Sequence, residues 1–598
     1  MPNKAFNIIK ETKVSIMKKA FIVLVIFMIS LILVSCNTFA TTYAIDTHEL
    51  TFEADDTIDD ITVSDGIISF GTTETGGDGE TTIGSENTTV SIEGDNDVKI
   101  SGSTITISTG GTYILMGSSD NVQIYIDVSP TEKVTLVLSN ADLTSLDGPV
   151  INANQSDKLV INVADGTTNI LSDSTVSTSD LKSCIFSNDD ITINGTGTLT
   201  IHANYGNGVN SNDDLIITNA NITINAENNC LKANDSVQIT TATINLNSGN
   251  DGIHVENDDD STEGNIYIGS GDFTIVAYGD GMDASNTITI TGGTFDITSG
   301  VGNTNIVSTS AKGLKGKVAV LIASGTFAIV SKDDAIHANN NIQIDNGDFC
   351  LSSSDDGIHA DTTLTINGGT INITKSYEGM ESVNIYINGG TIHIVATDDG
   401  LNAAGGNDGS STYGGWPGSS AGNATIIFTG GYVYVNAKGD GVDANGSVSM
   451  SGGTVIVSGP TDNGNGALDY DSTFTMTGGL FAAAGSSGMA QNISSTSTQY
   501  GVLIYFSTMS TNLIRISDAS GVEIITFKPE KAYQCLLVCS PDLKTSQDYS
   551  VYTGGTVSAY DSLDCGYYTN ATYTLGTLYK TFTIQTIATT VGSGGIRR

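Results

Sequence analysis

Apolar and polar residues alternate with a period of two through most of this chain, and the alternation itself recurs about every 22 residues. One unit, beginning at Asp356, reads DGIHADTTLTINGGTINITKSY. Ile358, Leu364, Ile366, Ile371 and Ile373 fall on one face and Thr365 and Asn372 on the other, the pattern of strands with a single buried face. The same step opens at Asp334-Ala335-Ile336-His337, Glu378-Gly379-Met380-Glu381 and Asp399-Gly400-Leu401-Asn402. A second turn recurs in register at Thr291-Gly292-Gly293-Thr294, Asn367-Gly368-Gly369-Thr370 and Asn388-Gly389-Gly390-Thr391. Glycine at both turns is expected to supply positive φ without a Cβ penalty.

A unit of this length cannot bury its own core and must stack on its neighbours as a solenoid. No long segment carries apolar positions spaced by 3.6, which disfavours leucine-rich and ankyrin repeats. The expected fold is therefore all-β: a right-handed parallel β-helix with rungs of about 22 residues and a small C-terminal antiparallel β cap. The expected boundaries are 1–36 for a signal peptide, 37–90 for an acidic tether or first strands, 91–500 for the β-helix and 501–598 for the cap.

The N-terminus reads as an address. Met17-Lys18-Lys19 is charged, Phe21 to Leu33 is apolar, and Leu33-Val34-Ser35-Cys36 has the form of a lipobox. The apolar run is shorter than the ~20 residues of a spanning helix. Cys36 is the expected lipidation site, and Met17 is an alternative start to Met1. These features predict a secreted chain held extracellularly, on the outer face of the cytoplasmic membrane, with no other membrane contact. Cys184 and Cys230 share a corner two rungs apart, roughly 9–10 Å, too far for a bridge. Cys535 and Cys539 are read as structural thiols.

The formal net charge is −42. Such an excess argues against nucleic acid and against simple attraction to acidic polysaccharide. Its placement is the main chemical signal. Asp334, Asp356, Glu378, Asp399 and Asp440 occupy the same corner of successive rungs, and Asp333, Asp355 and Asp398 precede three of them. Asp251 and Asp280 repeat the corner earlier, and Asp283 and Asp443 stand three places after it. Like charges stacked roughly 5 Å apart cost about 3 kcal/mol per pair at an effective dielectric of 20. Protonation, splaying into water or a cation relieves this, and Ca²⁺ suits an all-oxygen site. The candidate metal ligands are Asp333, Asp334, Asp355, Asp356, Glu378, Asp398, Asp399, Asp440 and Asp443; the plain alternative is a solvated acidic edge. His337 and His359 stack beside them and read as a turn-stabilising pair rather than a transition-metal site.

Catalysis has weaker support. Paired acids suit glycoside hydrolysis, but the motif recurs, whereas a catalytic pair should be singular. No Arg precedes Arg515, leaving Lys312, Lys315, Lys317, Lys332 and Lys375 as bases for a lysine-based, calcium-dependent polysaccharide lyase. For sugar binding, the outward residues are Tyr432 and Tyr434 with His393 and Asn372 on the preceding rungs, and Trp416 in a Gly-rich insertion from Gly405 to Gly422.

The segments Thr112-Tyr113-Ile114-Leu115, EKVTLVL from Glu132, SNDDITING from Ser187, SDDGIHAD from Ser354, KSYEG from Lys375, NAAGGND from Asn402, NGALDY from Asn465 and SPDLK from Ser540 together resemble a known family. It is that of bacterial secreted carbohydrate-binding-domain proteins with a pectate-lyase-like β-helix. The resemblance implies calcium-supported binding of cellulosic and acidic plant polysaccharides without established catalysis. It does not indicate which residues touch sugar. The expectation is a monomeric, lipid-anchored polysaccharide binder for cellulose or pectin-like glycans, with Ca²⁺ along the acidic corner; a lyase and a structural surface protein are the alternatives.

Overall fold

Alternating side chains leave each strand with one apolar face, and one strand pairs with the strand three further along the chain rather than with its neighbour. In the computed structural model, residues 98–301, 310–404 and 423–593 are described in full, with the backbone of the short strands Gly66–Gly71, Thr81–Ile83 and Thr88–Glu93. The expected lipidation site Cys36 and the insertion with Trp416 lie outside the described residues. Every regular element among those described is a strand.

From Lys158 to Gly485 the pairing between successive turns is parallel. Three strands make one turn, so the chain winds as a β-helix-like coil. Register fixes the stacking residue by residue: Ile336 pairs with Ile358, Ile358 with Met380, Met380 with Leu401 and Leu401 with Val442. The last of these steps spans the insertion. Inside the coil, Phe273, Phe295, Phe327 and Phe349 stack in line, with ring centroids 4.8, 4.6 and 4.6 Å apart. Each is almost fully buried. Parallel pairing in register makes like sit on like, which turns the sequence repeat into columns of identical packing.

The two glycine turns work by different physics. At the second turn, Gly369 has φ of +89°, as expected. The corner glycines do not: Gly357 has ordinary φ, but a Cβ there would lie 2.6 Å from the carbonyl oxygen of Gly379 and 2.7 Å from Ile373 Cδ1. Close approach of the next turn, not backbone handedness, selects a small residue at the corner. Ala335, Cys184 and Cys230 occupy the same column and are wholly buried.

The coil ends where Leu480–Gly485 pairs antiparallel with Tyr533–Cys539, which in turn pairs antiparallel with Gly501–Ser510. A six-stranded sheet, including Ile514–Asp518, Glu523–Phe527 and Asp548–Thr553, follows. Its apolar face closes over outward positions of the last turns, in one buried cluster containing Tyr434, Ile456, Ala482, Val502, Ile525 and Val551. Cys535 and Cys539 are buried free thiols in this region, and Cys184 and Cys230 are buried free thiols in the coil.

Candidate functional site

The acidic corner is a ladder of backbone caps before it is anything else. Asp334 Oδ1 accepts the N–H of Asp356 at 2.9 Å, and Asp356 Oδ1 accepts that of Glu378 at 3.2 Å. Asp251 does the same for Asp280 at 2.8 Å, Asp280 for Lys312 at 2.7 Å and Asp399 for Asp440 at 2.5 Å. One oxygen of each of these aspartates thus satisfies a donor on the next turn that the corner geometry would otherwise leave bare, whereas Glu378 accepts from the Asn402 side chain instead. That role explains why an acid recurs there. It also places several carboxylates inside: Asp334 is fully buried and Asp356 and Glu378 nearly so, whereas Asp398, Asp399 and Asp440 are half-buried and Asp355 is exposed.

A second column, three residues after the first, runs in register through His254, Asp283, Lys315, His337, His359, Glu381, Asn402, Asp443 and Asp469. Its cations, with Lys312 of the corner column itself, pair with acids of the same and adjoining turns. Lys312 Nζ lies 2.8 Å from Asp333 and 3.1 Å from Asp334; His337 Nδ1 lies 2.9 Å from Asp334. His359 Nδ1 lies 3.0 Å from Asp356 and 3.2 Å from Glu381, while its Nε2 lies 3.2 Å from Asp361. Lys315 bridges Asp280 and Asp283 at 3.2 and 3.1 Å. Burial alone would lower the His359 pKa, but its carboxylate partners raise it to about 11. His254, between Asp251 and Asp283, is raised to about 10 for the same reason. Asp334 is pressed towards neutrality by burial, yet His337 and Lys312 hold it below the usual carboxylate range. The need for an added cation at Asp333 and Asp334 is therefore met by side chains that the sequence reading had not paired with them, whereas Asp356, which shares His359 with Glu381, is still pushed up by burial and by the neighbouring Asp334.

Beyond Glu378 the compensation stops. Among the described residues no Lys, Arg or His forms an ion pair with Glu378, Asp398, Asp399, Asp440, Asp443 or Asp469. Burial, then the neighbouring Glu381, pushes Glu378 up to about 9. Burial with Asp399 and Asp440 nearby pushes Asp443 to about 8, and burial with Asp440 nearby pushes Asp399 to about 7. Asn402 donates to Glu378 at 2.6 Å, but Asn402 Oδ1 and Glu381 Oε1 are buried acceptors with no donor. Orphaned oxygens next to uncompensated carboxylates fit a hard cation, which takes oxygen ligands of mixed type and loose geometry. Glu378, Glu381 and Asn402, and on the following turns Asp399, Asp440, Asp443 and Asp469, are the residues that would hold such cations, more than one being needed to span four turns.

Next to the paired half lies a polar cleft of about 360 Å³ lined by Ser310, Lys312, Lys315, Asp333, His337, Asn339 and Asp355. The expected aromatic sugar platform is elsewhere and is not open. Tyr434 is 2% exposed and packs in the cluster under the C-terminal sheet; Tyr432 packs against the same cluster. His393 Nε2 is bound to Asp564 of that sheet at 2.7 Å. These three residues do face out of the coil, as their alternation requires, but the sheet covers them. Asn372 remains half-buried on the same column, in register with His393. A sequence signal for this existed: the outward column runs Asn372, His393, Tyr434, Ile456, Ala482 and so turns apolar where the sheet settles.

Comparison with known proteins adds the family. A model described as "Carbohydrate-binding domain-containing protein" matches residues 101–357 and 351–400, together 101–400 and half of the chain. The chain belongs to this carbohydrate-binding-domain family. A family member from Acetivibrio thermocellus, bearing the same description, is 33% identical over 147 residues, which are 24% of this chain and 51% of that protein. The match spans about half the length of that relative. A solved structure titled as the polysaccharide lyase-like protein from C. thermocellum, gadolinium derivative, is 30% identical and covers 39% of this chain and 90% of its own, with a TM-score of 0.35. That superposition is too loose to assign any residue of the family member described here.

Proposed function

We propose that this protein is an extracellular, lipid-anchored polysaccharide binder whose coil is right-handed with rungs of about 22 residues. In this reading, calcium held by the acids from Glu378 to Asp469 supports binding of acidic, pectin-like glycans and of cellulosic ones. The observation that carries it is the run of carboxylates without cation partners, in a chain of a carbohydrate-binding family. At a net charge of −42, an acidic glycan would be repelled unless a cation lay between. Ca²⁺ would supply the positive charge and spare coordination positions for glycan oxygens. The protein's own part is to hold the carboxylates at fixed spacing on a stiff coil, and to offer hydroxyl-binding groups such as Asn339, Asp355 and Ser310 in the adjoining cleft.

The cleft gives a lysine-based lyase its only specific support, because Lys312 and Lys315 line it. Burial would lower Lys315, but Asp280 and Asp283 raise its pKa further, keeping it a cation rather than a base. Binding is the reading favoured here. The test is retention of the soluble chain on insoluble cellulose and on pectate, with calcium or with chelator, while following absorbance of unsaturated uronate products. Calcium-dependent retention with flat absorbance supports the proposal. Rising absorbance replaces it with a lyase, and no retention on either glycan leaves a structural surface protein.

A further inference from the structure

The C-terminal sheet touches the coil at a point where three kinds of metal-ligating atom converge. His393 lies on the coil strand Thr391–Ala396, and Asp564 and Cys565 lie at the tip of the hairpin formed by Ser562–Asp564 and Tyr567–Thr569. His393 Nε2 is 2.7 Å from Asp564 Oδ2, and Cys565 Sγ is 3.3 Å from Asp564 Oδ1. One ligand atom from each of the three lies within 4.8 Å of the others. The site is half-buried, 171 residues apart in sequence across its two sides.

Two observations point past a simple ion pair. Tyr432 and Tyr434 flank His393, with ring centroids at 5.8 and 6.1 Å; the Tyr432 hydroxyl faces Asp564 and the Tyr434 hydroxyl faces Glu530 and Ser458, none of them in a hydrogen bond of ordinary geometry. Tyr434 is 2% exposed, so its oxygen has no route to water. His393 Nδ1 is likewise buried without a partner. Polar atoms so loosely satisfied leave room for a ligand beside the ion pair. The hairpin tip is also unusual. Its two-residue loop has φ of +44° at Cys565 and +85° at Gly566, the signature of a turn that normally takes Asn-Gly. A cysteine in the left-handed region is a strained choice whose merit lies in its thiol.

We propose that His393, Asp564 and Cys565 form a zinc site that fastens the C-terminal sheet to the coil. Nitrogen, carboxylate and thiolate donors match Zn²⁺ and are wrong for Ca²⁺, which takes oxygen alone. Tetrahedral zinc sets its ligand atoms roughly 3.3–3.7 Å apart, given bond lengths of about 2.0–2.3 Å. The Cys565–Asp564 spacing already falls in that range, so only the His393–Asp564 contact opens and the His393–Cys565 one settles by about an ångström. On coordination the Cys565 thiol gives its proton to solvent, the Nε2 proton that His393 shares with Asp564 moves to Nδ1, and the freed Nε2 lone pair turns to the metal. The fourth position falls to a Tyr hydroxyl or a water. The site is independent of the acidic corner, both in place and in ligand chemistry.

The test uses the purified protein, reduced and metal-free, titrated with Co²⁺ as a spectroscopic probe and then with Zn²⁺. The expected result is a thiolate-to-cobalt charge-transfer band that saturates at a single equivalent, resists excess Ca²⁺ and is erased by Zn²⁺. Cys565→Ser removes the band. A protein without the band, or a Cys565→Ser variant that keeps it, overturns the proposal. Should the variant misfold, thiol labelling of the unsubstituted protein decides: zinc must slow alkylation of Cys565 at least tenfold, read by peptide mass spectrometry. Unchanged labelling equally overturns it.

Discussion

His359 Nδ1 lies 3.2 Å from Oε2 of Glu381, one turn further along the coil, and both side chains are almost wholly buried. The same nitrogen lies 3.0 Å from Asp356. A single imidazolium therefore sits between two buried carboxylates of successive turns, at the place where the acidic ladder passes from compensated to uncompensated. Removing one partner of a buried ion pair leaves the other charge stranded. His359→Gln is accordingly expected to destabilise the coil by roughly 3–5 kcal/mol, seen as a lower midpoint in thermal or denaturant unfolding. A midpoint equal to the parent's would mean the imidazole is neutral and the pair unimportant.

The raised histidines set an alkaline limit on stability. An unfolded histidine titrates at about 6.5, whereas His254 is raised to about 10 and His359 to about 11 in the folded chain. The folded state holds these protons after the unfolded state has lost them. Their contribution is complete below about pH 6.5 and fades as pH climbs towards 10–11. Unfolding midpoints measured between pH 6.5 and 10 should fall steadily, and in His254→Gln the slope should be shallower.

The uncompensated acids carry the opposite lesson for calcium. Asp399 and Asp443 are pushed up to about 7 and about 8, so protons and a cation compete for the same oxygens. Above pH 8 the carboxylates are ionised and calcium should raise the unfolding midpoint; at hundredfold excess over its dissociation constant the gain is about 2.7 kcal/mol. At pH 5 the same calcium should do much less. Asp443→Asn should weaken the response at pH 8 without touching the His359 pairs. Calcium without effect at either pH would remove the metal from the proposed mechanism.

The phenylalanine column supplies a stability control far from any charge. Phe327 has a stacked ring on both sides at 4.6 Å and is 1% exposed. Phe327→Ala opens a cavity in a repeat whose neighbours cannot collapse into it, at a cost of about 3–5 kcal/mol. Circular dichroism during heating should show the loss, while glycan retention by protein that is still folded should stay unchanged.

Tyr434 discriminates packing from sugar recognition. Its ring belongs to the cluster under the C-terminal sheet. Tyr434→Ala should lower the unfolding midpoint, and Tyr434→Phe should leave glycan retention at the parent level. A selective loss of retention in the Phe variant, with stability intact, would restore the tyrosine to the binding surface.

The all-β character, the stacking of turns and the residues facing inward were legible in the sequence, because parallel in-register pairing copies a linear repeat into space. Ile336, Ile358, Met380 and Leu401 could be aligned by eye and do stack. The acids at the corner were legible as a column for the same reason. Their partners were not. His337 and His359 were visible as neighbours, but pairing Lys312 with Asp333 and Asp334 depends on a long side chain folding back across one turn. The glycine at the corner was correctly placed and wrongly explained, since close approach by Gly379 is a property of the next turn and not of Gly357.

Sequence alone thus determined what repeats: strand direction, the buried column and the charge carried at each corner, all consequences of a period that survives stacking. Tertiary structure decided what does not repeat. It set where the cations stop, so that Glu378, Asp399, Asp440, Asp443 and Asp469 stand without a cation partner among the described residues, and it set which outward face is covered, so that Tyr434 lies beneath a sheet rather than open to sugar. Both depend on contacts between residues whose separation obeys no period, 171 positions in the case of His393 and Asp564, and such contacts exist only once the chain has closed on itself.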